Sequence, residues 1–214
     1  MNHGNLFIVS APSGGGKTSL TRALLARLGE VGIKTMISVS YTTRAPRKGE
    51  EEGVHYHFVD EASFVEMVRR GEFLEHAEVF GRRYGTARPR TAQLLDAGYD
   101  VILDIDWQGA RQVRQQMPGA EGIFILPPSL DELERRLRAR SQDDEDTIAR
   151  RMRAAREEMS HYDEYDYVVV NDDFERALRE LAAVFVAGRV RREGQRERLA
   201  PLIGRLLANP PPLG

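Results

Sequence analysis

Apolar residues along the chain gather in two kinds of stretch. Leu6-Phe7-Ile8-Val9, Val101-Ile102-Leu103, Gly122-Ile123-Phe124-Ile125-Leu126 and Tyr167-Val168-Val169-Val170 are short runs with little alternation. Between them, apolar residues recur three and four apart, as in Leu20, Ala23, Leu24 and Leu28. A strand covered on both faces has no polar side to show, so unbroken runs separated by helical periodicity predict a parallel sheet with helices on both faces. Thr35 to Ser40, reached through Gly29 and Gly32, adds a strand after the first helix and makes the expected α/β core five-stranded.

The pattern changes between about residues 40 and 90. Tyr41 to Glu50 is polar and reads as a loop, with Pro46 biasing Ala45 away from helix and Arg44 and Arg47 three apart. Val54 to Val59 alternates and predicts a strand with Tyr56 and Phe58 on one face and His55 and His57 on the other. Asp60 is placed to cap a short helix carrying Phe64, Val65, Met67 and Val68. Glu72 to Phe80 is strand-like, Gly81 to Gly85 reads as a turn, and a helix is expected from about Arg90 to Ala97. These elements predict a small mixed α/β insertion in the core.

Beyond the fourth core strand, Ser129-Leu130-Asp131-Glu132 forms a capping-box sequence opening a helix with Arg135, Arg136, Arg138 and Arg140. Ser141 to Thr147 is an acidic link, and helix resumes through Arg150, Arg151, Met152 and Met159. This arrangement predicts a helical lid. The expected division is core over 1–39, insertion over 40–95, core over 96–136, lid over 137–160, core over 161–188 and a tail over 189–214, with the folded domain spanning about 4–186. Arginine dominates the tail, which reads as a surface helix and a frayed end.

Composition narrows the class. With 214 residues, 41% hydrophobic and 30% charged, the chain is long enough for one substantial core and too apolar for disorder. A net charge of -2 gives no global basic field for a nucleic-acid polymer. The sequence has no cysteine, no signal-like N-terminus and no run near the ~18 apolar residues of a membrane span, which together predict a cytoplasmic protein without a membrane partner.

The chemistry starts at Ser10-Ala11-Pro12-Ser13-Gly14-Gly15-Gly16-Lys17-Thr18, between the first strand and the first helix. Three consecutive glycines let backbone N–H groups converge on an anion where the helix begins. Lys17 can reach the β and γ phosphates, and the Thr18 hydroxyl can ligate Mg²⁺. The stretch follows the G-x-x-x-x-G-K-[ST] phosphate-loop pattern, with Ala11 in place of the first glycine, so Ala11 to Thr18 predict a nucleoside triphosphate site. Asp104 closes an apolar strand and could organise the Mg²⁺ shell through water; whether it or Asp106 lies nearer the metal stays open. His55 and His57 read as locally packed or solvent-facing residues, and Trp107 as a packing residue in the nucleotide crevice.

No guanine-reading Asn-Lys-x-Asp follows a later strand, so a second substrate site has to identify the activity. Thr42-Thr43-Arg44-x-x-Arg47-x-x-Glu50-x-x-Gly53-x-x-Tyr56-x-Phe58 resembles the guanylate kinase signature. Gly71-Glu72-Phe73-Leu74-Glu75, Tyr84-Gly85-Thr86, Ile102-Leu103-Asp104-Ile105-Asp106-x-Gln108-Gly109 and Val170-Asn171-Asp172-Asp173 extend the likeness over about residues 5–185. The resemblance implies the P-loop nucleoside monophosphate kinase fold, with transfer of the γ-phosphoryl group of MgATP to GMP or dGMP. It implies that Arg44, Arg47, Tyr56 and Tyr84 hold the GMP phosphate, with Glu50 in the same signature. A carboxylate accepts from both adjacent donors on guanine, which suits Glu75, and Asp106, Ser40 and Thr86 resemble the family's further guanine contacts beside Asp104. Arg136, Arg140 and Arg151, with Lys17 and Arg44, match positions acting on the transferring phosphate, and Asn171 a contact at the adenine end. A homo-oligomer is compatible with this reading. Two alternatives stand beside it: a non-catalytic guanylate-kinase-like binding module, and a related kinase for a phosphorylated sugar.

Overall fold

The computed structural model describes residues 3–47, 49–79, 81–140 and 144–208. The chain opens with β1 (Leu6–Ser10), α1 (Lys17–Glu30) and β2 (Thr35–Ile37). There follow β3 (Tyr41–Thr42), β4 (His57–Phe58), α2 (Glu61–Arg69), β5 (Phe73–Val79), β6 (Arg82–Ala87) and α3 (Arg88–Asp96). Then come β7 (Asp100–Asp104), α4 (Trp107–Gln116), β8 (Glu121–Leu126), α5 (Leu130–Arg140), α6 (Glu145–Ser160), β9 (Tyr167–Val170), α7 (Phe174–Gly188) and α8 (Arg192–Leu207).

The first sheet has the strand order β2-β7-β1-β8-β9 and every pairing in it is parallel. It is the five-stranded α/β core that the apolar runs predict. Alternate residues of β1 supply two cores: Phe7 and Val9 pack with Leu20, Leu24, Leu28, Leu181 and Phe185, whereas Leu6 and Ile8 pack with Leu74, Leu95, Leu103 and Val113. The Phe7 and Phe185 rings lie 3.9 Å apart, joining α7 to the central strand. A third, smaller cluster of Leu133, Leu137, Ile148 and Ala155 holds α5 against α6. The crevice of such a sheet lies beyond the carboxyl ends of its strands, where the phosphate loop, Asp104 and Asn171 occur.

The second sheet, β4-β3-β6-β5, corrects several expectations. Tyr41 and Thr42, expected in a loop, form β3 between β4 and β6. Gly81 does turn, at φ 69°, but Arg82 to Ala87 pair antiparallel with β5. Gly85 is glycine for close approach: a Cβ there would lie 2.9 Å from Phe73 Cδ1. The strand expected over Val54 to Val59 shrinks to His57–Phe58, because Gly53, at φ 72°, donates to Tyr56 O at 2.8 Å and closes a tight loop. Likewise β2 stops at Ile37, since the chain then crosses to the second sheet.

Asp60 caps α2 as expected, accepting from Ser63 N at 2.7 Å. The capping box at α5 is only half made: Ser129 Oγ accepts from Glu132 N at 3.1 Å, but Arg135 and Arg136 take the Glu132 carboxylate. Of the expected link 141–147, residues 141–143 lie outside the described residues, and α6 begins at Glu145 behind an Asp144 cap. The tail forms α8 with Pro201 inside it; 209–214 lie outside the described residues. No helix among the described residues is long and apolar enough to cross a membrane.

Candidate functional site

The phosphate loop is shaped by backbone. Gly14 and Gly16 sit at φ 89° and 96°, where a side chain is strained. A Cβ on Gly16 would also fall 2.1 Å from Asn171 Nδ2. Asn171, at the end of β9, donates to Gly15 O at 2.9 Å, and Gly15 N donates to Pro12 O at 2.8 Å. The helix behind the loop, α1, has no side-chain cap and no acidic residue in its first turn. Its N-terminal donors and positive dipole end are therefore left for an external anion. Ser10 Oγ donates to Ile105 O at 2.6 Å and accepts from Tyr165 at 2.7 Å, fixing the strand ends below the loop.

Charged groups surround this cradle. Lys17 forms an ion pair with Asp104. On α5, Arg136 Nε donates to Glu132 at 2.8 Å and Nη2 to Asn171 O at 3.0 Å, while Nη1 is buried without a hydrogen-bond partner. That nitrogen is aimed at the loop, 3.9 Å from the position of a Cβ on Gly16. From α6, Arg151 Nη2 donates to Ser13 Oγ at 3.1 Å and Glu158 accepts from Ser13 N at 3.1 Å. Burial pushes the Glu158 carboxyl up, and the Ser13 amide and Lys17 oppose that shift. Arg140 ends α5, and its side chain lies outside the described residues. A cavity of roughly 360 Å³ beside the loop is lined by Gly14, Gly16, Arg135, Arg136, Asn171 and Phe174.

Thr18, Ser40, Tyr56 and Asp104 line a second cavity of roughly 520 Å³, together with Arg22 and His55. In the adjoining Arg44–Arg47 loop, Arg44 Nη2 donates to Glu50 Oε1 at 2.8 Å and Arg47 N to Glu50 Oε2 at 2.7 Å. Those bonds, Arg44 first, hold the Glu50 carboxyl down at about 2. The Arg44 guanidinium also lies 5.4 Å from the Tyr56 ring, and Tyr56 and Tyr84 are 6.0 Å apart edge to face. Arg44, two phenols and one carboxylate are thus brought together, with the carboxylate already neutralising Arg44, while Arg47 is exposed and meets them through its backbone N.

Glu75 is only 6% exposed. Thr86 Oγ1 donates to its Oε1 at 2.6 Å, and Gly109 approaches Oε2 closely enough that a Cβ would lie 3.2 Å away. Burial, then the charge of Asp106, pushes the Glu75 carboxyl up to about 7 despite the Thr86 hydrogen bond. Asp106 itself caps α4 by accepting from Gly109 N at 2.9 Å, whereas Asp104 pairs with the loop lysine.

Trp107 packs, as expected, but its partners are His161, stacked at 3.7 Å, and Arg111, 4.6 Å from its ring. His55 Nδ1 accepts from Glu51 N at 3.1 Å and His57 contacts Glu52 at 2.9 Å. Among the described residues, no group of three His, Cys, Asp or Glu side chains could hold a metal ion. Sequence reasoning missed Arg22, Tyr165 and Glu158. Their contacts depend on residues far along the chain, as in the Ser13–Glu158 pair, and no local motif signals them.

A family model described as guanylate kinase matches residues 3–187. The chain is 58% identical over 204 residues to the guanylate kinase of Alkalilimnicola ehrlichii, covering 95% of this chain and 98% of that one. It is 56% identical over 209 residues to the guanylate kinase of Escherichia coli strain K12, covering 98% and 100%. The crystal structure of guanylate kinase from Anaplasma phagocytophilum is similar with a TM-score of 0.70 at 35% identity, covering 93% of this chain and 97% of that one.

Proposed function

The chain belongs to the guanylate kinase family, and on that premise we propose how its own residues carry out transfer of the γ-phosphoryl group of ATP to GMP or dGMP. The triphosphate lies across the uncapped start of α1, with the loop amides and Lys17 on its oxygens. Lys17 turns from Asp104 to the phosphates. The buried, unpartnered Arg136 Nη1 is a donor waiting for an anionic oxygen at the loop. Arg151 and Arg140 complete the charge around the transferring group, whose negative charge spreads over three oxygens. Asn171, through its hold on Gly15 O, sets the loop's shape and borders the adenine end.

On the acceptor side, Arg44, Arg47, Tyr56 and Tyr84 grip the GMP phosphate, and Arg44 is released from Glu50 to do so. Glu75 and Asp106 accept from the guanine N1–H and N2 amino group, with Ser40 and Thr86 hydroxyls serving the remaining edge. Adenine would set an acceptor against Glu75 and leave buried groups unpaired. No protein base is needed, because the acceptor phosphate, with a second pKa of about 6, is already ionised at neutral pH.

Thr18 and Asp104 suit Mg²⁺: both offer hard oxygen donors on one cavity, and Mg²⁺ is held by one or two carboxylates plus substrate phosphates rather than by an all-protein cage. When bound, it orients the phosphates and neutralises their charge. We place the enzyme in the cytoplasm, in keeping with a sequence without cysteine.

The observation that carries the specificity is Glu75, a buried carboxylate with one side-chain donor, Thr86, that lies against Gly109 at the start of α4. ADP release with MgATP against GMP, dGMP, AMP, UMP and a phosphorylated sugar tests it. Turnover is expected with GMP and dGMP alone; equal use of AMP would sink the base assignment.

A further inference from the structure

Ser13 is held twice by one helix. Arg151 and Glu158 lie seven residues apart on α6, two turns along one face, and reach the Ser13 hydroxyl and amide. The phosphate-loop motif gives Glu158 no role. Its carboxylate sits where negative charge is unwelcome, partly buried and facing Asp106, beside a loop built for anions. It cannot serve by attracting a triphosphate.

Its place on the helix supplies a reason. Three residues beyond Glu158, the end of α6 is fastened to α4: His161 stacks on Trp107 at 3.7 Å. Arg111 also donates two hydrogen bonds of 2.6 Å to Glu164, which contacts His161 at 2.7 Å. Along α6, from Ile148 to Met159, α5 and α6 share their own small core. The lid is therefore anchored at the base of α6, and it meets the phosphate loop again through Arg151 on Ser13 Oγ and through Leu133 and Leu137 of α5 beside Gly14. Seven residues of helix span about 10 Å, so a tilt of about 10° at the base moves Arg151 by roughly 2 Å. A displacement of about 1 Å at a reacting centre can cost a hundredfold in rate.

We propose that Glu158 is a positioning residue for phosphoryl transfer: by accepting from Ser13 N it fixes the tilt of α6 on its Trp107–His161 base and so sets Arg151 at the phosphates. This rests on the role given to Arg151 above. Glu158 touches neither substrate; it acts through the helix it docks.

A double-mutant cycle tests the idea, with kcat measured at saturating ATP and GMP and GMP affinity measured by calorimetry. E158A should lower kcat by about 10- to 100-fold while GMP affinity stays within about twofold, which also reports an intact fold. E158Q, whose amide oxygen can still accept from Ser13 N, should recover most of the loss. In an R151A background, E158A should lower kcat by less than about threefold, because the residue it positions is gone. A full additional loss in that background, or an E158Q enzyme as slow as E158A, would overturn the proposal. If R151A turns over at the wild-type rate, the role of Arg151 is wrong and the positioning role falls with it. Loss in R151A with strictly multiplicative effects would leave Arg151 in place and remove Glu158 alone.

Discussion

The donor and acceptor halves of the crevice are built by opposite means. Around the phosphate loop, the geometry comes from backbone: two glycines at positive φ, an uncapped helix and one asparagine on a loop carbonyl. Around Glu75 and Arg44, it comes from side chains that satisfy one another, Arg44 with Glu50 and Glu75 with Thr86. A backbone cradle presents its donors before any ligand arrives. A self-paired set of side chains must exchange partners when the ligand enters, and its charge state depends on burial. The acceptor half thus carries a buried carboxyl, Glu75, pushed up to about 7.

The sharpest break of that contrast is Lys17→Ala. It removes the loop's own cation from a preformed cradle, so kcat should fall by about 10²- to 10³-fold with the circular dichroism spectrum unchanged. Retained turnover would mean the backbone alone suffices. Next comes Glu75→Gln, which should weaken discrimination of GMP over AMP by about 1–3 kcal/mol in kcat/KM, since an amide accepts one guanine donor but opposes the other.

The same carboxyl gives a pH signature. Guanine needs the ionised form, so GMP affinity should fall as pH drops below about 7, with proton release on binding visible in buffers of different ionisation enthalpy. The linkage to stability has the reverse sense. With the folded pKa raised from 4.5 to about 7, the unfolded chain loses this proton first, and stability declines as pH rises through that window. The strain is at most about 3 kcal/mol, and Glu75→Gln should relieve part of it, giving a ligand-free enzyme with a higher unfolding midpoint at pH 8. A midpoint that falls would show that the burial of Glu75 is fully compensated. The smallest effect belongs to the lid surface: Glu145→Gln breaks an exposed pair with Arg138 and should leave the unfolding midpoint and kcat unchanged.

The two halves also differ in how far they could be read from the chain. The parallel core and the loop were legible because each is local: an unbroken apolar run, then Gly14-Gly15-Gly16-Lys17 before a helix. The second sheet was not, since β3 is two residues long and only its neighbours β4 and β6 make it a strand. Gly85 misled because its glycine serves contact with Phe73 rather than a turn. The motif residues Arg44 and Glu50 were visible as charges, yet their mutual pairing was not. Glu158 was invisible altogether, because nothing near it in sequence hints at Ser13.

The stack at the base of the lid has a use beyond mechanics. Trp107 is the only tryptophan in 214 residues, and it follows Asp106 directly. Its indole lies flat on His161, which terminates the lid helix. All tryptophan emission from this chain therefore originates where α4 meets the end of α6. The enzyme carries an intrinsic fluorophore at the contact of α4 with the end of α6, and its colour and intensity can be followed in a stopped-flow cell without a label.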